Sequence, residues 1–173
     1  MTHRNVHYEA AFEDYLRVKG WPYVAVDEAK KAVFAGALVK SFDFLVYSAS
    51  GANLLVDVKG RKFPGAASKA KPGPSRAWEN WVTREDVEGL RKWARIFGDD
   101  FTPVFVFAYW LQGTPRKTPF EDVHLFRRRH YAFMAASLSD YAAAAKDRSA
   151  KWGTITVPKA RFVRMAKDIA AFL

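Results

Sequence analysis

The stretch LLVDVKGRKF, at positions 54–63, decides how this chain folds and what it can do. Its apolar start is typical of a buried strand, yet the same strand then carries an acid and a base, Asp57 and Lys59. Successive side chains of a strand point to opposite faces, so Asp57 and Lys59 share one face while Val56 and Val58 share the other. The pattern indicates either a plain ion pair or part of a functional site.

The composition narrows the class of protein. The chain has 173 residues, enough for one domain with a substantial core. A net charge of +10 favours a polyanionic partner, most often nucleic acid. The absence of cysteine excludes disulfides, thiolate zinc sites and thiol nucleophiles. No apolar run reaches the roughly 18 residues of a membrane span, and the polar N-terminus does not resemble a signal peptide, so we expect a cytoplasmic protein.

The hydrophobic pattern predicts an α/β fold with a mixed central sheet flanked by helices. A chain that folds as one domain over residues 1–173 is expected. The predicted helices cover 7–19, 83–97, 134–146 and 158–172, and the predicted strands cover 21–28, 42–49, 53–60, 102–111, 122–126 and 154–158. Thr83 is expected to cap the second helix and Gly98 to end it. The strand at 102–111 is apolar on both faces and should be central.

A basic segment follows the central motif. Residues 60–75 contain glycine, proline, lysine and arginine but no acid, which predicts a long loop. Its position beside Lys59 favours phosphate contacts over a merely solvated loop, and the candidate nucleic-acid-binding residues are Arg61, Lys62, Lys69, Lys71 and Arg76. Trp78 and Trp81 are either packing aromatics or platforms for an unpaired base. The run 127–129, three arginines, is either a second phosphate patch or a solvated face.

Several oxygen ligands can meet at the predicted sheet. If the strands at 42–49 and 53–60 pair through the turn between them, Asp43 approaches Asp57 and Lys59 along one edge of the sheet. Two carboxylates and a peptide carbonyl, here that of Val58, are the hard oxygen ligands that Mg²⁺ or Mn²⁺ prefers. On the first helix, Glu9 lies at the margin of the apolar stripe and is better placed than Glu13 to lean over the sheet. This set indicates metal-dependent phosphodiester hydrolysis.

The order Glu9, Asp43, Asp57-Val58-Lys59 resembles the PD-(D/E)XK nuclease superfamily, in particular nucleases of the archaeal Holliday-junction-resolvase type. In that type a helix glutamate precedes a Gly-aromatic pair by eleven residues, as Glu9 precedes Gly20-Trp21 here. An aspartate-led strand, an acid-x-lysine strand, a helix and an apolar strand follow, matched here by FDFLVY, DVKGRK, DVEGLRKWARIFG and TPVFVFAY. The resemblance covers about residues 7–110. The opening HYEAAFE also resembles a group of uncharacterised bacterial proteins that begin His-Tyr-x-x-x-Phe-Glu.

The resemblance implies a restriction-endonuclease-like core over about residues 7–110. Residues 120–173 have no counterpart in a small resolvase and are expected to form a C-terminal strand and helix extension. The resemblance also implies that Asp43 and Asp57 ligate the metal with help from Glu9, and that Lys59 positions or activates the attacking water. The chain departs from the superfamily pattern at Phe42, where proline is common, and from the resolvases at Asp57, where they have glutamate.

We therefore expect a Mg²⁺- or Mn²⁺-dependent nuclease that acts on DNA, with RNA as an alternative substrate. A homodimer would supply the two sites that cutting both strands of a duplex needs. Two other functions remain open: a non-catalytic nucleic-acid-binding module on the same fold, and a structural or interaction domain that binds an acidic protein. Metal dependence and the salt dependence of DNA binding separate the three.

Overall fold

The computed structural model of the protein describes residues 6–26, 32–34, 37–65, 76–113 and 118–173. Lys69 and Lys71, two of the expected nucleic-acid contacts, lie outside this part of the chain. The helices are α1 (Val6–Lys19), α2 (Arg84–Phe97), α3 (Leu138–Ala144) and α4 (Lys159–Met165), with a 3₁₀ helix at Ile169–Phe172. The strands are β1 (Tyr23–Ala25), β2 (Ala32–Phe34), β3 (Ala37–Val39), β4 (Phe44–Val46), β5 (Asn53–Phe63), β6 (Val82–Thr83), β7 (Phe101–Leu111), β8 (His124–Phe126), β9 (Arg129–Ser137), β10 (Lys146–Ser149), β11 (Thr154–Thr156) and β12 (Lys167–Asp168).

A mixed seven-stranded sheet forms the centre of the molecule, in the order β1-β4-β5-β7-β9-β12, with β8 paired to the outer part of β9. The two long strands β5 and β7 run parallel, and the other pairs in this sheet are antiparallel. The predicted central position of the 102–111 strand is confirmed, because β7 lies between β5 and β9. Two smaller sheets, β10-β11-β6 and β2-β3, complete the strands.

Helices cover both faces of this sheet. On one face α1 packs its Phe12 and Leu16 against Leu54, Val56 and Val58 of β5. On the other face, residues of α2, α3 and α4 pack against the alternate side chains of β5 and β7: Leu90, Tyr141 and Phe162 against Leu55, Phe63, Phe105 and Phe107. The period-two alternation of β5 therefore sends Asp57 and Lys59 to the side of α2, away from the apolar face under α1.

Strand β5 continues further than the sequence predicts. Residues 60–63 are not the start of a loop, because the parallel pairing with β7 extends to the partners Phe63 and Leu111. Hydrogen bonds to a long apolar neighbour strand thus hold Arg61 and Lys62 in extended backbone despite the Gly-Arg-Lys composition. These two basic side chains consequently have fixed directions.

The predicted helix at 134–146 is wrong in its first part. Residues up to Ser137 belong to β9, which pairs with β7 on one side and with β12 on the other. The alanines at 135 and 136 are fully buried in that sheet, so packing overrides their preference for helix. Helix α3 begins only after Ser137, whose hydroxyl accepts a hydrogen bond from the Asp140 backbone N–H.

The predicted last helix, over 158–172, is also too long. Helix α4 ends at Met165, Ala166 has extended backbone, and Lys167 and Asp168 form β12 against β9. The apolar residues that continue the helical pattern, such as Ile169, instead fill the core on the α1 face. The hairpin of β2 and β3 was not predicted from the sequence.

Gly60 is required where α1 crosses β5. A Cβ atom at this position would overlap the ring of Tyr8, which is 6% exposed and held against the sheet. We expect Gly60→Ala to lower the free energy of unfolding by about 1–3 kcal/mol, because the buried ring has nowhere to move. Gly51→Ala is the matched control, since a Cβ there meets only Ser48 Oγ at 3.6 Å. Equal unfolding midpoints in urea for the two variants would contradict the expectation.

Candidate active site

Asp57 and Lys59 meet as the alternation of β5 predicts. The Lys59 Nζ lies 2.8 Å from Asp57 Oδ1, so the two side chains share one face of the sheet. Both are largely buried, with side-chain exposures of 14% for Lys59 and 9% for Asp57. A buried carboxylate and ammonium in the middle of a central strand form an unusual feature, because each charge loses its water on folding.

A third residue, Asp86, completes this pair and was not predicted to belong to a site. Lys59 Nζ lies 3.1 Å from Asp86 Oδ1, and Lys40 binds the same oxygen from the rim. The other oxygen of Asp86 accepts the Thr83 backbone N–H, at 2.8 Å, while the Thr83 hydroxyl accepts the Asp86 N–H. The capping box that starts α2 therefore also carries the carboxylate that holds two lysines.

Burial and the neighbouring charges shift the pKa values of the residues in this cluster. Although burial opposes the charged form, the carboxylates of Asp57 and Asp86 raise the pKa of Lys59 above its ordinary value. Burial likewise opposes ionisation of Asp86, but Lys59 and Lys40 lower the pKa of Asp86 to about 2. Burial raises the pKa of Asp57. The Lys59 ammonium, which is shared with Asp86, offsets this effect only in part. The ionised form is thus favoured at Asp86 and disfavoured at Asp57.

Asp43 lies beside this cluster, in a register that differs from the simple count about the turn. Phe44 pairs with Val56, so one further step places Asp43 level with Asp57 rather than with Lys59. The Asp43 N–H donates to the Val56 carbonyl at 2.9 Å, and the Val58 N–H donates to Asp43 Oδ2 at 2.5 Å. Asp43 is 6% exposed, and its charge contributes to the raised pKa of Lys59. The two aspartates therefore face one another across β4 and β5.

Glu9 approaches the same end of the sheet from α1. Glu9, Glu13 and Asp43 line a small depression of about 210 Å³ between α1 and the paired ends of β1 and β4. Within it, Glu13 Oε1 accepts the Tyr23 hydroxyl at 2.8 Å. Glu9 and Asp43 thus share this depression, whereas Lys59 lines a separate cleft. Within the described residues, no group of three Asp, Glu or His side chains is arranged to hold a metal ion.

An open cleft of about 1150 Å³ lies over Lys59 and Asp86. Its walls come from the start of α1, the outer half of β5, the segment 76–83 and the end of β7. Cationic side chains dominate the lining: Lys40, Lys59, Arg61, Lys62, Arg76 and Arg129. The cleft is therefore a positively charged channel whose floor holds the Lys59 ammonium, which suits an anionic, extended ligand.

Two tryptophans form opposite walls of this cleft. The guanidinium of Arg61 lies 3.9 Å from the ring centre of Trp81, and that of Arg148 lies 5.1 Å from the same ring. Trp110 is covered by Arg129 at 4.4 Å and by Lys62 at 5.4 Å. Each indole ring thus contacts two cationic side chains, of which Arg61, Lys62 and Arg129 also line the cleft.

The basic residues that were predicted to contact nucleic acid differ in whether their side chains are already bound within the protein. Arg61 donates to the carbonyl of Gly60 at 2.7 Å and to that of Trp81, and burial lowers its pKa, so it mainly ties β5 to the segment 76–83. Lys62 and Arg76 are exposed at the cleft. Trp78, the other tryptophan of this segment, packs in the core against Phe63 and Phe120. Of the two tryptophans weighed as base platforms, only Trp81 lines the cleft.

His7 is a further cleft residue without a role in the sequence-based site. Its Nδ1 lies 2.9 Å from the hydroxyl of Tyr131, and burial together with Arg129 and Lys62 lowers its pKa. The only sequence signal is its position two residues before Glu9. Lys40 and Asp86 gave a weaker signal, because their partners are distant along the chain.

The comparisons with known proteins agree with this geometry at the level of the fold. No family model matches the sequence, and no curated protein matches it significantly. Among solved structures, the chain is similar to Archaeoglobus fulgidus Hjc, a Holliday junction resolvase from an archaeal hyperthermophile, determined at 1.6 Å resolution. The TM-score is 0.56 at 14% sequence identity, and the likeness covers 96% of this chain and 97% of that one.

The chain therefore has a restriction-endonuclease-like fold, with a mixed central sheet flanked by helices, which confirms the predicted fold class. The likeness is not confined to residues 7–110, since 96% of the chain takes part and β9 is a member of the central sheet. Within the described residues, no helix is long and apolar enough to cross a membrane.

Proposed function

We propose that this protein is a cytoplasmic, metal-dependent nuclease that hydrolyses phosphodiester bonds in DNA. The observation that carries the proposal is the Lys59 ammonium, bound by Asp57 and Asp86 at the floor of a basic cleft on a nuclease fold. A structural ion pair needs no access to solvent, whereas this one lies at the base of an open channel. An ammonium at that place can contact a phosphate or its attacking water.

The donor set suits Mg²⁺ or Mn²⁺. Asp43 and Asp57 supply carboxylate oxygens from neighbouring strands, and both residues are buried at 6% exposure. We assign Asp43 and Asp57 as the principal ligands, with the Val58 carbonyl and Glu9 as further ones. A metal bound there would stabilise the charge that develops on the scissile phosphate.

The chain's own residues have separate tasks in this proposal. Asp86 and Asp57 keep Lys59 charged and hold its Nζ at a fixed place in the cleft floor. Lys62 and Arg76 provide exposed cations for the DNA backbone, and Arg61 braces the wall that carries Trp81. Lys69 and Lys71 are proposed as additional phosphate contacts from the basic segment after β5.

A non-catalytic DNA-binding module is the second candidate. It is favoured by the close contact of Lys59 with both Asp57 and Asp86, because a lysine that neutralises these carboxylates takes the place of a cation. The basic cleft fits this function equally well. A domain that binds an acidic protein would use the same charges without any dependence on metal.

Cleavage of a panel of labelled DNAs in Mg²⁺ or Mn²⁺ tests the proposal. The panel contains a linear duplex, a single strand, a flap and a four-way junction, and the last is included because the similar archaeal protein is a Holliday junction resolvase. We expect cleavage of at least one substrate, lost both in EDTA and in the Asp57→Asn variant. DNA binding without cleavage under all conditions would instead establish the non-catalytic module.

A further inference from the structure

The hairpin that joins β8 to β9 has an unusual turn. Phe126 pairs with Arg129, which leaves only Arg127 and Arg128 to reverse the chain. Both residues have positive φ angles, 46° and 64°. A two-residue turn of this kind matches the twist of its strands, but it is normally built from asparagine and glycine, which tolerate the left-handed conformation. Two arginines therefore occupy a left-handed backbone conformation that is unfavourable for them.

No internal ion pair accounts for these arginines. Both are exposed, as is Arg129, and none of the salt bridges among the described residues includes any of the three. The guanidinium of Arg127 lies 4.9 Å from the ring centre of its neighbour Phe126. Arg127 and Arg128 therefore place two adjacent positive charges at the exposed tip of a short hairpin, next to a third at Arg129.

The hairpin continues the wall of the cleft. Arg129, at the base of the turn, lines the cleft and lies over Trp110, as does Lys62. Lys59 is level with Phe107 on β7 and with Met134 on β9. Arg129 lies five residues further along β9, which corresponds to roughly 17 Å. Because β9 also lies two strands away from β5 in the sheet, the turn is farther than this from Lys59, which corresponds to at least about five base pairs at about 3.4 Å per nucleotide of a duplex strand.

We propose that the turn of Arg127 and Arg128 is a second phosphate-binding site, which contacts the backbone of a DNA duplex at least about half a helical turn from a phosphate bound at Lys59. The inference rests on the proposed function, because it extends the cleft's DNA track. Guanidinium groups bind phosphate oxygens in a bidentate fashion, so arginine suits this role better than a residue chosen for the turn alone.

The variant R127N/R128G separates binding from folding, since Asn-Gly is the preferred sequence for such a turn. We expect its unfolding midpoint to rise by about 2–4 °C, because the backbone strain is relieved. We expect its affinity for a labelled 20-base-pair duplex, measured by fluorescence anisotropy in EDTA, to fall roughly tenfold or more at 100 mM salt. The slope of log K against log salt should become shallower by about 1.8, which corresponds to two lost phosphate contacts.

The matched control is R161Q/R164Q, which removes two exposed arginines from α4, outside the cleft lining. The slope of log K against log salt for this control should stay close to that of the unmodified protein.

Equal slopes for all three proteins would overturn the inference and leave the proposed function intact. A fall in both midpoint and affinity for R127N/R128G would make the arginines structural. A loss seen only with the single-stranded 20-mer would refute the duplex assignment. No salt-dependent DNA binding by the unmodified protein would overturn the proposed function as well.

Discussion

The Lys59→Met variant should lose DNA cleavage by at least about a hundredfold while it binds DNA almost as well as the unmodified protein. Its ammonium lies at the cleft floor between two buried carboxylates, where it can act on the reacting phosphate or water but contributes only one of many cationic contacts. The measurement compares single-turnover cleavage with duplex affinity in the same buffer.

The control for this variant is Lys62→Met, three residues along the same strand. Lys62 is exposed and lies over Trp110, so its loss should weaken DNA binding and leave the cleavage rate at saturation unchanged. Because Lys59→Met also leaves Asp57 buried without its partner, a lower unfolding midpoint is expected, and cleavage must be measured at a temperature where circular dichroism shows the variant folded. Unchanged turnover in Lys59→Met would refute the catalytic assignment.

Asn80→Ala should be the most destabilising substitution outside the apolar core. The Asn80 side chain is 2% exposed and makes four hydrogen bonds. Its Nδ2 donates to the carbonyls of Trp78 and Val157 at 3.1 and 3.0 Å, and its Oδ1 accepts from the Val157 N–H at 2.8 Å and the Thr156 hydroxyl at 3.1 Å. Removing the amide leaves buried backbone groups unpaired, so we expect a loss of about 2–4 kcal/mol.

Urea unfolding of Asn80→Ala beside Asn53→Ala checks this expectation. Asn53 makes one such bond, in which its Oδ1 accepts the Ser48 N–H at 3.1 Å, so its replacement should cost about 1 kcal/mol. Losses of equal size would mean that the Asn80 network is replaced by water. A confirmed difference would show that one side chain fixes the segment carrying Trp81, and therefore one wall of the cleft.

The parts of the site that could be predicted from sequence depend on local geometry. Strand alternation alone places Asp57 and Lys59 on one face, and the contact between them confirms it. The position of Asp43 beside these residues follows from the hairpin. A count about the turn centre pairs Asp43 with Lys59, whereas the structure places it level with Asp57. These residues can be placed because they are close along the chain, separated by one residue within a strand or by a single hairpin.

The rest of the site depends on packing between distant segments. Lys40 reaches Asp86 because α2 lies close to residue 40, where Gly89 has no side chain to keep the two apart and Trp93 donates to the Lys40 carbonyl at 2.9 Å. No periodicity in the sequence encodes that approach. From the sequence alone, Asp86 is therefore recognised only as a helix-capping residue.

The elements that were predicted wrongly share one physical cause. The alanines before Ser137 favour a helix locally, but two neighbouring strands satisfy their backbone groups and bury them. The end of α4 behaves similarly, because β12 gains a pairing with β9 that a longer helix would lose. In both cases the central sheet determines the structure of a segment whose own preference points elsewhere.

The outer strands of the central sheet are short. Strands β1 and β8 have three residues each, and β12 has two. An edge of that length exposes few unpaired backbone groups, so it offers little template for strand addition and for the aggregation that follows from it. A second copy of the chain would accordingly associate through helix or hairpin side chains rather than by extending the sheet through these strands. Substitutions of such surface side chains would then change how the two clefts are placed relative to each other.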